Sequence, residues 1–126
     1  MAKSNYLKLR DITAYKIASE LSDYIWNLIL EWEWFSRKTI GCQWVESTDS
    51  IAANLAEGFG RFHKKDKQKF YYNSRGSVYE SAHWCKKATI RKLISKEEEN
   101  HIMEELRKLP KEINSLIKYT EEKLTI

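Results

Sequence analysis

Proline occurs once in this 126-residue chain, glycine four times and cysteine twice. So few turn residues exclude an all-β domain, which needs them between many short strands. Two cysteines, Cys42 and Cys85, cannot supply the disulfide framework of a small secreted domain. The N-terminus, Met1-Ala2-Lys3-Ser4-Asn5-Tyr6, carries no apolar signal-like run. The expectation is therefore a cytoplasmic protein with both thiols reduced. Long apolar runs are also missing. The best candidate, Tyr24 to Leu30, is short and interrupted by Asn27, so no bilayer span is expected. Gly58-Phe59-Gly60 lacks the context of a phosphate-binding loop.

What remains is a helix-rich composition: hydrophobic residues make up 42%, charged residues 32% and aromatics 13%, enough apolar material for one core. The length fits a single domain, residues 1–126, with 1–10 as a short leader. Asp11 or Thr13 can cap a first helix whose apolar stripe is Ala18, Leu21, Ile25, Leu28, Trp32 and Phe35. Ser36 can cap a second, with Ile40, Trp44, Thr48, Ile51, Leu55 and Phe59 inward and an end at Gly58 to Gly60. A third runs from Lys64–Lys67 to about Leu93. Its expected inner face is Phe70, Tyr71, Ser74, Ser77, Val78, Ser81, Trp84, Cys85 and Ala88. Ser95-Lys96-Glu97-Glu98 is a capping box opening a fourth helix. That helix carries Ile102, Leu106, Leu109, Ile113, Leu116, Thr120 and Leu124 in four-three spacing, with a kink expected at Pro110. The fold class is thus all-α, an antiparallel up-down-up-down four-helix bundle.

The positive charge is concentrated. Residues 61–96 hold eleven Lys/Arg and two Asp/Glu, whereas the segments before and after are mildly acidic. Such a block suits an anionic partner, or else a solvated face balanced by an acidic neighbour. Helical spacing aligns Lys65, Lys69, Tyr72, Arg75, Tyr79, His83 and Lys86 on one side, opposite the small serines. Leaving out His83 and adding Arg61, Lys64, Lys67, Lys87, Arg91 and Lys92, these form a candidate nucleic-acid surface of twelve residues, cations for phosphates and tyrosines for bases. The same tyrosines equally suit a subunit interface.

Metal and catalytic readings fare worse. Glu80-Ser81-Ala82-His83 and Glu98-Glu99-Asn100-His101 are both Glu-x-x-His, the motif of di-iron bundles, with Glu31 and Glu57 as the remaining carboxylates. The two motifs lie at different distances from the turn near Ser95, however, and are offset by about 15 Å at ~1.5 Å per residue. Arg75 and His83 lack a third group for acid–base work. No catalytic residue, metal or cofactor is expected.

Two motifs remain. Ser50-Ile51-Ala52-Ala53-Asn54-Leu55-Ala56-Glu57-Gly58-Phe59-Gly60-Arg61, with Gln43 upstream, and the later Phe70, Gly76, Ser77 and Glu80 resemble the signatures of the 23S rRNA intervening-sequence protein family. The departures are Val45 and Glu46 where the family often has basic residues, and Asn73 and Ser74 in place of an apolar residue and alanine. The resemblance implies a four-helix bundle assembling into a ring, a pentamer. It further implies a bacterial protein without enzymatic activity, kin to the nucleic-acid-handling accessory determinant of diversity-generating retroelements. By spacing, Ser50, Asn54 and Glu57 share one helix face. They form either a buried hydrogen-bonded set reaching Gln43 or Ser77, or a binding site. Two functions are in view: nucleic-acid binding through the third helix, or an oligomeric scaffold for a protein partner such as a reverse transcriptase.

Overall fold

The computed structural model describes residues 7–124; the first six residues of the expected leader lie outside them. A 3-10 turn, Leu9–Asp11, leads into α1, Thr13–Leu30. Helix α2 is compound: a single α-turn Trp34–Ser36, a π-helical segment Arg37–Gly41 and a long α segment Cys42–Gly60. Helix α3 spans Lys64–Ile90 and α4 spans Lys96–Lys123. The described residues contain no strand. Helix α1 packs on α2 and α4, and α3 packs on the same two, so four amphipathic faces close around one core.

The helix ends are set by their caps, two of which differ from expectation. At α4 the capping box is present: Glu98 N donates to Ser95 Oγ at 3.1 Å and Ser95 N donates to Glu98 Oε1 at 2.8 Å. At α1, Asp11 does not cap the helix. Its carboxylate accepts from Lys8 N at 3.2 Å in the preceding 3-10 turn, and buried Ile12 holds the N-cap position. At α2 the cap is Glu33 rather than Ser36. Its carboxylate accepts from Phe35 N at 3.0 Å and from both Ser36 N and Ser36 Oγ at 2.8 Å. These bonds hold the Glu33 carboxyl below its usual range. Because α1 stops at Leu30, its stripe ends on Ile29, Trp32 is only half-buried and Phe35 faces solvent.

Helix α3 ends in a Schellman arrangement. Lys92 N donates to Thr89 O at 3.1 Å and Leu93 N donates to Ala88 O at 2.9 Å, with Lys92 in the left-handed region at φ 59°. Helix α4 continues across Pro110 to Lys123; proline withholds an N–H from the ladder but does not end the helix.

Between α2 and α3 runs a seam of small polar groups. Trp44 is fully buried, and its indole N–H donates to Ser81 Oγ at 3.1 Å. The Ser81 and Thr48 hydroxyls are 2.7 Å apart, and Thr48 Oγ1 also donates to Trp44 O at 2.8 Å. Further along, Ser74 Oγ donates to Ile51 O at 2.8 Å. Serine at these positions lets α3 approach closely while every hydroxyl of the seam finds a partner. At the end of α2, a Cβ on Gly58 would lie 2.7 Å from Tyr71 Cε1 and 3.0 Å from Lys67 O. Only glycine fits there without displacing α3.

Truncating Ser81 to alanine removes the acceptor of a buried indole N–H. We expect Ser81→Ala to lower the free energy of unfolding by about 1–3 kcal/mol, read as a drop in the urea midpoint at unchanged m-value; an unmoved midpoint would show that the seam does not hold the two helices. The thiols give a second expectation. Cys42 is exposed, whereas Cys85 is buried and burial pushes its thiol up to about 12. At pH 8 a thiol reagent should titrate one cysteine per native chain and two after denaturation.

Candidate nucleic-acid interface

The orientation of α3 is set by what it buries: Tyr71, Ser74, Val78, Ser81, Cys85 and Ala88 all point inward. At 3.6 residues per turn the opposite face is then Lys65, Lys69, Tyr72, Gly76, Tyr79, His83 and Lys86. Lys65, Tyr72, Tyr79 and Lys86 are exposed on it, Tyr79 at 63%. Among the described residues Lys65, Lys69 and Lys86 join no ion pair. The Arg75 guanidinium lies 4.8 Å from the Tyr72 ring centroid and donates to Asn114 Oδ1 at 2.7 Å, so it braces Tyr72 while tying α3 to α4.

The remaining expected cations do not join this face. Lys64 Nζ reaches Glu121 O and Leu124 O, both at 3.3 Å, at the end of α4. Lys67 Nζ donates to Phe59 O at 2.7 Å and Gly58 O at 3.4 Å, at the end of α2, and burial lowers its pKa. The first turn of α3 thus supplies the cationic caps of both neighbouring helices, whose C-terminal carbonyls carry partial negative charge. Arg61 pairs with Glu57 at 2.7 Å. Lys87 is half-buried, and Arg91 and Lys92 belong to the turn at the far end of α3. The expected twelve-residue surface therefore divides into an outward stripe, helix caps and a turn.

The motif residues are also redistributed. Ser50 Oγ donates to Glu46 O at 2.8 Å and Asn54 Nδ2 donates to Ser50 O at 2.8 Å. These are bonds within α2, and Glu57 is exposed, so the buried inter-helix set expected from Ser50, Asn54 and Glu57 is not formed. Gln43 is exposed, Ser77 Oγ donates to Asn73 O at 3.2 Å, and Glu80 accepts from Trp84 Nε1 at 3.3 Å. The inter-helix role falls instead to Trp44, Thr48, Ser74 and Ser81. The signal for it was the alternation of serine with bulk along α3; pairwise spacing cannot supply the register that sets Ser81 against Trp44.

Four of the groups considered for a metal, Glu57, Glu80, Glu98 and His101, have other partners. Glu98 closes the capping box, and His101 packs on Tyr24 with ring centroids 4.6 Å apart. Glu80 is bonded to Trp84 and Glu57 to Arg61. Among the described residues no three His, Cys, Asp or Glu groups converge. No helix of the described residues is long and apolar enough to cross a membrane.

A helical bundle with an outward basic and aromatic stripe on its third helix defines the class of protein. The pattern of the 23S rRNA-intervening sequence protein family matches residues 10–115, and the chain belongs to that family. Its backbone is similar to the crystal structure of a protein of unknown function of the S23 ribosomal protein family from Bacteroides thetaiotaomicron VPI-5482. The TM-score is 0.75 at 20% identity, covering 84% of this chain and 99% of that one. No curated protein matches the chain.

The two motif glycines differ physically. Gly58 sits against Tyr71, whereas a Cβ on Gly76 would meet nothing within 4 Å. A glycine inside an exposed helix costs about 1 kcal/mol relative to alanine. Gly76→Ala should therefore raise stability by about that amount, while Gly58→Ala should lower it by roughly 1–3 kcal/mol through overpacking. Thermal denaturation of the two variants beside the parent tests the contrast.

Proposed function

We propose that this protein is a non-enzymatic, cytoplasmic, homo-oligomeric bundle that binds RNA or single-stranded DNA through the outward face of α3. The observation that carries the reading is the stripe itself. Three lysines without an ion-pair partner among the described residues, Lys65, Lys69 and Lys86, alternate with exposed Tyr72 and Tyr79 along one helix. Cations draw in a phosphate backbone by releasing its counterions, and exposed rings offer stacking surfaces to unpaired bases. Gly76 lies between the two tyrosines on the same face, and its missing side chain leaves room for a ligand backbone.

A homo-oligomer would serve the same function. Trp26, Leu30, Trp34 and Phe35 leave apolar surface exposed around the α1–α2 turn, and large exposed apolar patches mark association sites. The ring implied by the family resemblance would repeat the α3 stripe in each subunit and raise affinity through multivalency.

A second reading rests on the same apolar patch: an oligomeric scaffold that holds a protein partner without touching nucleic acid. Charge reversal separates the two. The variant Lys65→Glu/Lys69→Glu/Lys86→Glu should lose retardation of short RNA while keeping the parent's thermal midpoint and its elution volume. Parent binding should fall steeply as salt is raised. Undiminished binding by the reversed variant would reject α3 as the interface, and a parent that binds no RNA or DNA at low salt would leave the scaffold.

A further inference from the structure

Beside the stripe, an open cavity of about 440 Å³ lies along the surface between α3 and α4. Tyr79, His83 and Lys86 contribute from α3; Glu99, Met103 and Arg107 contribute from α4. The chemistry of its lining is uneven. Lys86 and Arg107 are exposed cations, and Tyr79 is an exposed ring. Glu99 is a carboxylate whose side chain is only 20% exposed. Its Oε1 accepts from Lys96 Nζ at 2.9 Å, and that bond above all holds its carboxyl below the usual range. Glu99 is therefore an acceptor at neutral pH, with lone pairs left over after that bond.

A carboxylate inside a basic rim rejects a phosphate at its own position and accepts N–H donors instead. A nucleotide satisfies both demands, with its phosphates on Lys86 and Arg107, its base against Tyr79 and the base edge toward Glu99. The four bases differ in what that edge offers. Guanine presents two adjacent donors, the ring N1–H and the exocyclic amino group, which match the two oxygens of a carboxylate. Adenine and cytosine set one amino donor beside a ring acceptor, and uracil sets its single N–H between two carbonyls, so each brings a lone pair against Glu99.

We propose that the cavity between α3 and α4 seats an unpaired guanine of a bound single strand, with Glu99 reading its Watson–Crick edge and Tyr79 stacking on its face. This deepens the nucleic-acid reading of α3 and rests on it. The chemistry is that of base-edge recognition in single-stranded RNA, where splayed bases lie on aromatic side chains and pair their edges with polar groups.

The test uses fluorescently labelled uridine oligomers of about 12 nucleotides, within the span that single-strand binding surfaces cover. Each carries one central guanosine, adenosine or cytidine, or none, and anisotropy is read at low salt on the intact protein. The central guanosine should bind roughly tenfold tighter than the other three, the discrimination expected of one well-formed bidentate contact. Glu99→Gln should erase that preference, leaving the central-guanosine strand no tighter than the adenosine, cytidine and all-uridine strands. Tyr79→Ala, at an exposed position where folding is not at issue, should weaken every strand and the guanosine strand most. Equal affinities of the parent for all four strands would overturn the guanine seat and leave the nucleic-acid reading standing. No binding to any strand would overturn both.

Discussion

The hydrogen bond from the Trp44 indole to Ser81 sets how α2 and α3 face each other. Trp44 is the largest fully buried side chain, and its one polar atom must find an acceptor inside the core. Ser81 supplies it and Thr48 completes the pair, so a rotation of α3 about its axis would strand the indole N–H and part the Ser81 hydroxyl from Thr48. Gly58 against Tyr71 holds the same two helices at close range further along. Once that rotation is set, Lys65, Lys69, Tyr72, Tyr79 and Lys86 have one direction left, outward. The proposed function is thus tied to a packing constraint on the opposite side of the helix.

The same constraint decides which cations are available. Lys64 and Lys67, which flank the outward stripe, are drawn to the C-terminal carbonyls of α4 and α2. Their charge offsets two helix dipoles rather than a phosphate backbone. Arg75 stands between these groups, bracing Tyr72 and bonding Asn114. A basic block in a sequence is therefore a mixture of structural and available charge, and helical phase sorts the two.

Much of this was legible in the residues alone. The α4 stripe of Ile102, Leu106, Leu109 and Ile113, the Ser95 capping box and most of the inward set of α3 are set by periodicity and cap chemistry. The family could be read from the α2 and α3 motifs and is that of residues 10–115. The α1–α2 junction was not legible. Ser36 has the side chain of a good cap, but Glu33 three residues earlier caps the helix start instead, and the π-helical turn Arg37–Gly41 shifts the phase of the long segment beyond it. A Cβ on Gly41 would lie 2.9 Å from Ile29 Cγ2, a contact that depends on how α1 and α2 cross and not on either sequence segment alone. Likewise Ser50, Asn54 and Glu57 share a face, but that face lies beside the seam, where local bonds within α2 satisfy Ser50 and Asn54.

Nucleic acid should meet the outward face of α3 and the groove it forms with the start of α4, and not the far part of α4. Lysine-modification footprinting with mass spectrometry, with and without a short single-stranded RNA, tests this residue by residue. Lys65, Lys69 and Lys86 should become protected while Lys111 and Lys118, exposed on α4, react as before. Protection confined to α4 or to the α1–α2 turn, or unchanged reactivity of Lys65, Lys69 and Lys86 in a complex shown to be bound, would contradict it.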